Sequence, residues 1–301
     1  MATTSRRDFM KACVVLASAN VPAAAAGPNI HFPSAARDRL AVASYPFRDF
    51  MDRPGHPGIK LTEFAAMVVE KFNIHNIEPL NDHFPSTDPA YLQQLRSAVD
   101  RAHSHIVNIP TTVGESLYDP DAAKRAIAVA NAKKWVDVAV AVGSPSIRVH
   151  IQGVKGAGPD VVRTSDALKT VAEYGARKNV MITLENDDIV TEDAFFLAKV
   201  IDAVHSPWLR ALPDFGNSML HGDPDFDYKA VDAMFHRAYN ISHVKDSEED
   251  NGKLFTVDVA KTFAIAKAAG YRGYYSMEWE GRGGPYEGTQ KLLDDSLKSL
   301  G

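Results

Sequence analysis

The sequence predicts a single α/β domain folded as a (β/α)8 barrel, the TIM-barrel architecture. Short runs of β-branched, aromatic and aliphatic residues alternate with helical patterns eight times along the chain. Four of the later runs each end in an acidic or imidazole side chain, which indicates a site at the carboxyl ends of parallel strands. Residues 27–301, which follow a predicted leader, have a length that suits one barrel.

The apolar runs predict eight strands, near Leu40–Tyr45, Asn76–Leu80, His105–Ile109, Ile147–Ile151, Met181–Glu185, Leu209–Pro213, Ile241–Val244 and Tyr274–Glu278. Each strand is followed by a predicted helix, at Thr62–Phe72, Ala90–His103, Ala122–Val142, Ser165–Lys178, Glu192–Val204, Tyr228–Arg237, Val257–Ala269 and Thr289–Leu300. Helix starts are marked by Thr62, Thr87, Ser165 and Thr191 with their acidic neighbours, and helix ends by Gly143 and Gly270.

This alternation favours a closed barrel over an open, doubly wound sheet. An open sheet that binds a dinucleotide carries a glycine-rich loop after its first strand. Here the first strand leads instead into SYPFRDFMDRPGHPG, which has no G-x-G-x-x-G spacing.

The first 26 residues are predicted to be a twin-arginine signal peptide. The segment Ser5–Lys11 carries Arg6 and Arg7, and a short apolar stretch and the small-residue run 23–26 follow it. The alternative is a short N-terminal helix that happens to carry two arginines. We expect residues 27–301 to form an exported, periplasmic protein that does not span the membrane, because no stretch reaches the ~18 apolar residues of a transmembrane helix.

Composition excludes some classes of partner and some types of metal ligand for the mature chain. Removal of Arg6, Arg7, Lys11 and Asp8 with the leader changes the formal net charge from −5 to −7, which argues against a nucleic-acid partner. The only cysteine, Cys13, lies in the leader. Any metal ion in the mature protein must therefore be held by oxygen and nitrogen donors.

Glu185, Asp214, His243 and Glu278 are the candidate metal ligands. They end the fifth to eighth predicted strands at intervals of 29, 29 and 35 positions. In a parallel barrel such residues converge on one rim, where they could coordinate a single ion. Three carboxylates and an imidazole suit Mn²⁺, Mg²⁺, Co²⁺ or Zn²⁺. A single residue of this kind is more often a surface carboxylate or a helix cap, but four at equivalent strand ends are not expected by chance.

These four segments resemble those of the xylose-isomerase-like barrels, the sugar phosphate isomerase/epimerase superfamily. LEN around Glu185, PDFGN around Asp214, HVKD around His243 and MEW around Glu278 are similar to the family's ligand segments. The resemblance implies that these four residues bind one divalent ion. It also implies that Glu185 and Glu278 serve as the acid/base pair that moves a proton next to the sugar carbonyl.

Such a metal stabilises the enediolate that forms when the α-proton leaves, and a nearby carboxylate can take that proton. Lys245, two residues beyond His243, would project to the same side of its strand and could add positive charge beside the developing oxyanion. The alternative is a lysine that extends toward solvent and pairs with Asp246 or Glu248.

The chain departs from the resemblance at Asn217. The epimerase branch often has D-x-x-H at this point, whereas this sequence reads Asp214-Phe215-Gly216-Asn217. An asparagine can hydrogen-bond a hydroxyl group but cannot transfer a proton at neutral pH. His221 lies four residues further on and could take this role, although a loop histidine is the simpler interpretation.

Several residues at other strand ends are candidates for substrate binding. They are Glu78 (with Asn81 and His83), Arg148, His150, Asn217 and Trp279, with Tyr45 and Arg48 as further possibilities. Arg148 and His150 are two positions apart, so both should face one side of their strand. The competing interpretation is packing: arginine and histidine pair with acidic neighbours inside barrels, and Trp279 and Trp208 are more often core residues.

Two enzyme classes and one binding function remain open from the sequence. The first is metal-assisted isomerisation or epimerisation of a small free carbohydrate. The second is cleavage of a 3-keto-glycoside by β-elimination through the same enediolate, and export and Asn217 favour it. Endonuclease activity is less favoured, because the chain lacks the additional histidines of a three-metal cluster. A periplasmic sugar-binding protein without metal is the non-enzymatic alternative. A homo-oligomer is compatible with all of them, and Glu280–Gly288 is expected to be a mobile loop that covers the substrate.

Overall fold

A computed structural model of the protein describes residues 27–301. The predicted leader, with Arg6, Arg7 and Cys13, lies outside the described residues. No helix within residues 27–301 combines the length and the apolar character needed to cross a membrane.

Within residues 27–301, parallel strands and helices alternate around a barrel, which confirms the predicted fold class. The strands of the barrel wall are β1 (Leu40–Ala43), β2 (Asn76–Glu78), β3 (His105–Ile106), β4 (Pro110–Thr111), β5 (Ser146–Val149), β6 (Met181–Glu185), β7 (Leu209–Leu212), β8 (Ile241–Val244) and β11 (Tyr274–Met277). The helices are α1 (Leu61–Phe72), α2 (Pro89–Arg101), α3 (Ala122–Val142), α4 (Val161–Lys178), α5 (Ala194–Val204), α6 (Pro224–Phe235), α7 (Val259–Ala268) and α8 (Pro285–Leu300).

The barrel wall consists of two hydrogen-bonded sheets, in the orders β3-β2-β1-β11-β8 and β4-β5-β6-β7. The predicted third strand is divided between them, since β3 pairs with β2 and β4 pairs with β5. Pro110 at the start of β4 has no amide hydrogen for the ladder, which fits this division. On the other side of the ring, β7 and β8 meet through two isolated bridges, one of which pairs Asp214 with His243.

Aspartate side chains begin most of the helices. Asp121, Asp193 and Asp258 accept backbone hydrogen bonds at the starts of α3, α5 and α7. Helix α4 starts at Val161 rather than at the predicted Ser165, because Asp160 accepts a hydrogen bond from the Arg163 amide at 2.8 Å. Similarly, α6 and α8 begin earlier than predicted, each with a proline in its first turn.

An antiparallel hairpin that the hydrophobic pattern did not predict extends β8 beyond the barrel. Its strands are β9 (Ser247–Asp250) and β10 (Lys253–Thr256). Asn251 and Gly252 form the turn with φ values of 49° and 78°, the combination that a tight hairpin requires. The hairpin therefore stands at the same end of the barrel as the candidate metal ligands.

Most of the apolar core lies between the strands and the surrounding helices. A separate small cluster, Ala41, Val107, Leu212 and Ile241, joins residues of β1, β7, β8 and the segment after β3. These parts of the ring can meet only across its interior, so this cluster fills the barrel beneath the strand ends. The space above it is polar.

Candidate metal centre

The structure brings the four candidate ligands together at the carboxyl end of the barrel. Glu185 is the last residue of β6, Asp214 follows β7, His243 lies in β8 and Glu278 follows β11. Their ligand atoms all lie within 4.8 Å of one another, and all four side chains are buried. The pleat of the strands explains this convergence, since alternate residues face the interior of the ring.

His243 is the centre of this cluster. Its Nδ1 atom lies 2.8 Å from Glu185 Oε1 and 3.0 Å from Glu278 Oε2. Its Nε2 atom lies 3.0 Å from both carboxylate oxygens of Glu78 on the opposite side of the ring. One nitrogen therefore faces the candidate metal ligands, and the other faces a carboxylate deeper in the barrel.

Asp214 is held in place by the backbone. Its Oδ1 atom accepts hydrogen bonds from the amides of Gly216 at 2.8 Å and Asn217 at 2.7 Å. Asn186 also fixes the main chain of Asp214, by accepting from its amide at 2.8 Å and donating to its carbonyl oxygen at 3.2 Å. The Oδ2 atom is buried and has no hydrogen-bond partner. A buried carboxylate oxygen in this state has a lone pair available for a cation.

The electrostatics of the cluster show how strongly it attracts positive charge. Burial disfavours the imidazolium, but Glu185, Glu278 and Glu78 outweigh that cost and hold the pKa of His243 well above its usual value. Burial, together with the neighbouring carboxylates, raises the pKa of Asp214 well above its usual value. Burial likewise raises the pKa of Glu278. A divalent ion would neutralise these crowded carboxylates, so the donor set fits a hard or borderline metal ion.

Lys245 lies in the same cluster and is almost fully buried, with 2% of its surface exposed. Its ammonium group donates to Asn217 Oδ1 at 2.7 Å and Glu248 Oε2 at 3.0 Å, and it also contacts Glu280. The same group lies 3.7 Å from Asp214 Oδ2 and 3.6 Å from Glu278 Oε2. The predicted pairing with Glu248 is thus present inside the site, and the ammonium does not extend to solvent.

Asn217 is also part of the site. In addition to accepting from Lys245, it donates to Glu185 Oε1 at 3.4 Å. His221 makes its contacts elsewhere: its ring lies 3.6 Å from Asp193 and packs at 4.0 Å against the ring of Phe226. It therefore does not take the position of the missing histidine.

Arg148 and His150 form a second cluster beside the first. Arg148 Nε lies 3.0 Å from Glu185 Oε2, and its Nη2 lies 2.5 Å from Asp187 and 3.7 Å from Glu192. His150 Nδ1 lies 2.6 Å from Glu192 and 3.1 Å from Asp187. Two carboxylates and an imidazole again approach within 4.8 Å, and the guanidinium of Arg148 pairs with both of these carboxylates.

The pKa values in the second cluster reflect this pairing. Burial raises the pKa of the Glu192 carboxyl to about 7. Burial opposes the charged form of His150, but its contacts with Asp187 and Glu192 prevail and raise its pKa to about 9. The side chains of His150 and Asp187 are 26% and 37% exposed, so this cluster opens toward the mouth while Glu192 stays inside.

The remaining candidates for substrate binding lie in different environments. Glu78 is 1% exposed and faces His243 and Asn108. Trp279 is on the outer side of its strand end, where its ring covers Gly288 of α8 so closely that a Cβ there would lie 2.3 Å from it. The guanidinium of Arg48 stacks on the ring of Tyr45 at 4.3 Å, and His83 Nδ1 lies 2.7 Å from Ser44 Oγ.

The acids Asp187, Glu192, Glu248 and Glu280 complete the site but were not among the predicted site residues. Asp187 lies two positions after Glu185, a spacing that can place both side chains on one side of an extended chain. Glu248 belongs to the hairpin, which the Asn251-Gly252 pair could have revealed. The loop after β11 is tied to that hairpin, because Arg282 donates to Glu249 at 2.8 and 3.1 Å and to the Gly252 carbonyl oxygen at 3.2 Å.

Comparison with known proteins identifies the family to which this fold belongs. The model of the family described as xylose isomerase-like TIM barrel matches residues 68–300. The chain belongs to this family. The resemblance seen in the four ligand segments is thereby confirmed at the level of the family. No curated protein matches the chain.

Solved structures share the fold at low sequence identity. A xylose isomerase-like TIM barrel protein from Mycobacterium smegmatis, in complex with magnesium, is 16% identical with a TM-score of 0.66, over 89% of this chain and 99% of that one. D-allulose 3-epimerase from Methylomonas sp. is 17% identical with a TM-score of 0.65, over 89% and 98%. The 3-keto-D-glucoside 4-epimerase YcjR from E. coli is 14% identical with a TM-score of 0.63, over 87% and 98%.

Proposed function

We propose that this protein is a divalent-metal-dependent sugar isomerase or epimerase that transfers a proton next to a carbonyl group through an enediolate. The observation that carries the proposal is the pair of carboxylates, Glu185 and Glu278, that flank His243 Nδ1 at 2.8 and 3.0 Å within a buried four-residue cluster. Membership of the xylose isomerase-like family and the two epimerases among the similar structures support it.

Glu185, Asp214, His243 and Glu278 would hold the ion, and Mn²⁺, Mg²⁺, Co²⁺ and Zn²⁺ all suit three carboxylates and one imidazole. When bound, such an ion acts as a Lewis acid that polarises the substrate carbonyl and its neighbouring hydroxyl. The magnesium in the mycobacterial structure supports a hard ion that prefers oxygen ligands.

The side chains of this protein supply the proton transfers. Glu185 and Glu278 approach the cluster from β6 and β11, so each can serve one face of a sugar carbon, one removing the proton and the other returning it. Arg148 Nε lies 3.0 Å from Glu185 Oε2, and this ion pair helps to orient the carboxylate. The buried ammonium of Lys245 adds positive charge where the substrate becomes anionic.

The proposal is tested by metal analysis and hydrogen exchange. Purified protein should contain close to one divalent ion per chain, and incubation with free ketoses in D₂O should place deuterium in an intact sugar, measured by mass spectrometry. A protein that takes up no ion after incubation with Mn²⁺ or Zn²⁺ contradicts the proposal and favours the sugar-binding alternative.

A 3-keto-glycoside lyase is the second candidate, and Asn217 favours it. This residue lies between Lys245 and Glu185, where it can bind a hydroxyl but cannot transfer a proton. Loss of the proton at C2 of a 3-keto-glycoside would be followed by departure of the C1 substituent. Release of an aglycone from a 3-keto-glucoside, in place of deuterium in an intact ketose, would decide for the lyase.

We also propose that the protein is exported by the twin-arginine pathway and acts in the periplasm. The leader motif supports this, because the translocase recognises a pair of guanidinium groups that lysine does not reproduce. Replacing Arg6 and Arg7 together with lysine should leave full-length precursor in the cytoplasm in a cell-fractionation immunoblot. Normal periplasmic accumulation of the double variant would show that the leader has another role. The oligomeric state stays a prediction.

A further inference from the structure

A chain of buried polar side chains runs from His243 down through the barrel interior. Both oxygens of Glu78 lie 3.0 Å from His243 Nε2, and Asn108 donates to Glu78 Oε1 at 2.8 Å. Ser146 donates to Asn108 Oδ1 at 2.6 Å, and Asn240 donates to Ser146 Oγ at 2.6 Å. The chain thus joins β2, β5, the segment after β3 and the start of β8.

Burying these polar side chains costs free energy, which indicates that the arrangement has a role. The interiors of such barrels are usually filled by layers of branched apolar side chains. Here all four residues below His243 are at most 1% exposed. A buried carboxylate is stable only when it is paired and hydrogen-bonded. Apolar residues at these positions would give a simpler core, so stability alone does not account for the chain.

Glu78 cannot reach a substrate in this structure. Its side chain is fully buried, and its partners His243 and Asn108 are themselves 1% and 0% exposed. It does, however, determine which nitrogen of His243 is free. When Nε2 donates its hydrogen to Glu78, Nδ1 is the nitrogen on the side of Glu185 and Glu278, where it would offer its lone pair to an ion.

We propose that Glu78 is a positioning residue of the metal site, and that Asn108, Ser146 and Asn240 support it from below. Glu78 fixes the ring of His243 so that Nδ1 is the ligand atom, and its negative charge makes the imidazole a stronger donor to a divalent ion. Carboxylates that hold a ligating histidine in this way typically change metal affinity about 10–100-fold when replaced. The inference rests on the proposed metal site and assigns Glu78 a role other than substrate binding.

The test compares Mn²⁺ affinity in matched variants, measured by competition with a chromophoric chelator. Glu78→Gln keeps the shape and removes the charge, and we expect it to bind Mn²⁺ about 10–100-fold more weakly than wild type. Asn108→Leu should cause a smaller loss in the same direction, because it only frees Glu78 from its support. Thr183→Val is the matched control. Thr183 is equally buried, and its hydroxyl donates to the Ile147 carbonyl at 3.2 Å, so it does not belong to the polar side chains that connect to His243.

A second measurement is independent of metal binding and of activity. Long-range ¹H–¹⁵N NMR spectra of the metal-free protein should show a hydrogen-bonded Nε2–H on His243, and this signal should shift or be lost in Glu78→Leu but not in Thr183→Val. Circular dichroism melts establish that each variant is folded.

The outcomes separate the inference from the proposed function. Wild-type affinity in a folded Glu78→Gln protein overturns the inference and leaves the metal site intact. An unchanged His243 signal in Glu78→Leu overturns it as well. A wild-type chain that binds no Mn²⁺ overturns the metal site and the inference with it.

Discussion

His243 and His150 are the centres of two clusters with the same kinds of donors but different charge balances. Each Nδ1 atom lies close to two carboxylate oxygens, at 2.8 and 3.0 Å for His243 and at 2.6 and 3.1 Å for His150. The His150 carboxylates already have Arg148 as a partner. The His243 cluster contains a third carboxylate, Asp214, whose Oδ2 atom has no hydrogen bond and lies 3.7 Å from the Lys245 ammonium, and the second nitrogen of the ring is held by Glu78.

Donor types alone therefore do not distinguish the proposed metal site from the His150 cluster. What distinguishes the His243 cluster is an excess of buried negative charge together with a histidine whose other nitrogen is held in place. The His150 cluster is internally paired and partly open to the mouth, which suits contact with the polar groups of a substrate.

The largest expected effect separates the two clusters directly. Asp214→Ala or His243→Ala should lose the bound ion, because each removes a ligand from a buried site, whereas His150→Ala should retain it. Elemental analysis of the purified variants measures the difference. If only His150→Ala lost the ion, the metal would bind in the His150 cluster and the prediction would be wrong.

The next effect concerns the acid/base pair. Glu185→Gln or Glu278→Gln should slow exchange of the α-hydrogen of the substrate by about 10²–10⁴-fold, the range typical of a positioned acid or base. Glu249→Gln is the control, because Glu249 contacts only the exposed Arg282 among the charged groups. Deuterium incorporation in D₂O, followed by mass spectrometry, gives the rates, and equal rates in all three variants would remove the proposed roles.

Arg148 connects the two clusters, so its removal should affect both. Arg148→Met leaves Glu185 and Glu192 buried without their cation, and we expect about 3–5 kcal/mol lower stability. Arg282→Met removes an exposed ion pair and should cost much less, because solvent screens that pair. Urea unfolding measures both. A loss for Arg148→Met no larger than that for Arg282→Met would mean that Arg148 does not hold the clusters together.

The smallest expected effect is the change with pH in the stability that His150 contributes. Its pKa is raised from 6.5 to about 9 in the folded protein, so its pairing stabilises the fold fully below pH 6.5 and this contribution is lost as the pH rises through 9. The difference in Tm between wild type and His150→Gln should therefore shrink between pH 6 and pH 10. A difference that is constant over this range would argue against a charged His150.

The four ligand candidates could be recognised from the sequence because each ends a strand, and strand ends in a parallel barrel converge on one rim. The same rule brought Glu78, Arg148 and His150 to attention, but it did not predict the contacts that they make. His243 is 165 positions from Glu78, and no local pattern reports such a contact. Glu248, Glu280 and Glu192 lie in a hairpin and in loops, whose paths periodicity does not describe.

The starts of two helices also show what the hydrophobic pattern of the sequence could not predict. Asp160 and Asp223 begin α4 and α6 several residues before the apolar periodicity becomes regular. The hydrogen-bonding capacity of one aspartate set these helix starts, whereas the prediction followed the apolar pattern. The fold class was insensitive to such errors, because strand and helix order alone determines it.

The bridge between Asp214 and His243 also has a mechanical consequence. These residues form one of the two isolated bridges between β7 and β8, a place where the ladder of the ring is otherwise interrupted. An ion shared by their side chains would add a link across this interruption, so binding of the ion would also stabilise the wall of the barrel.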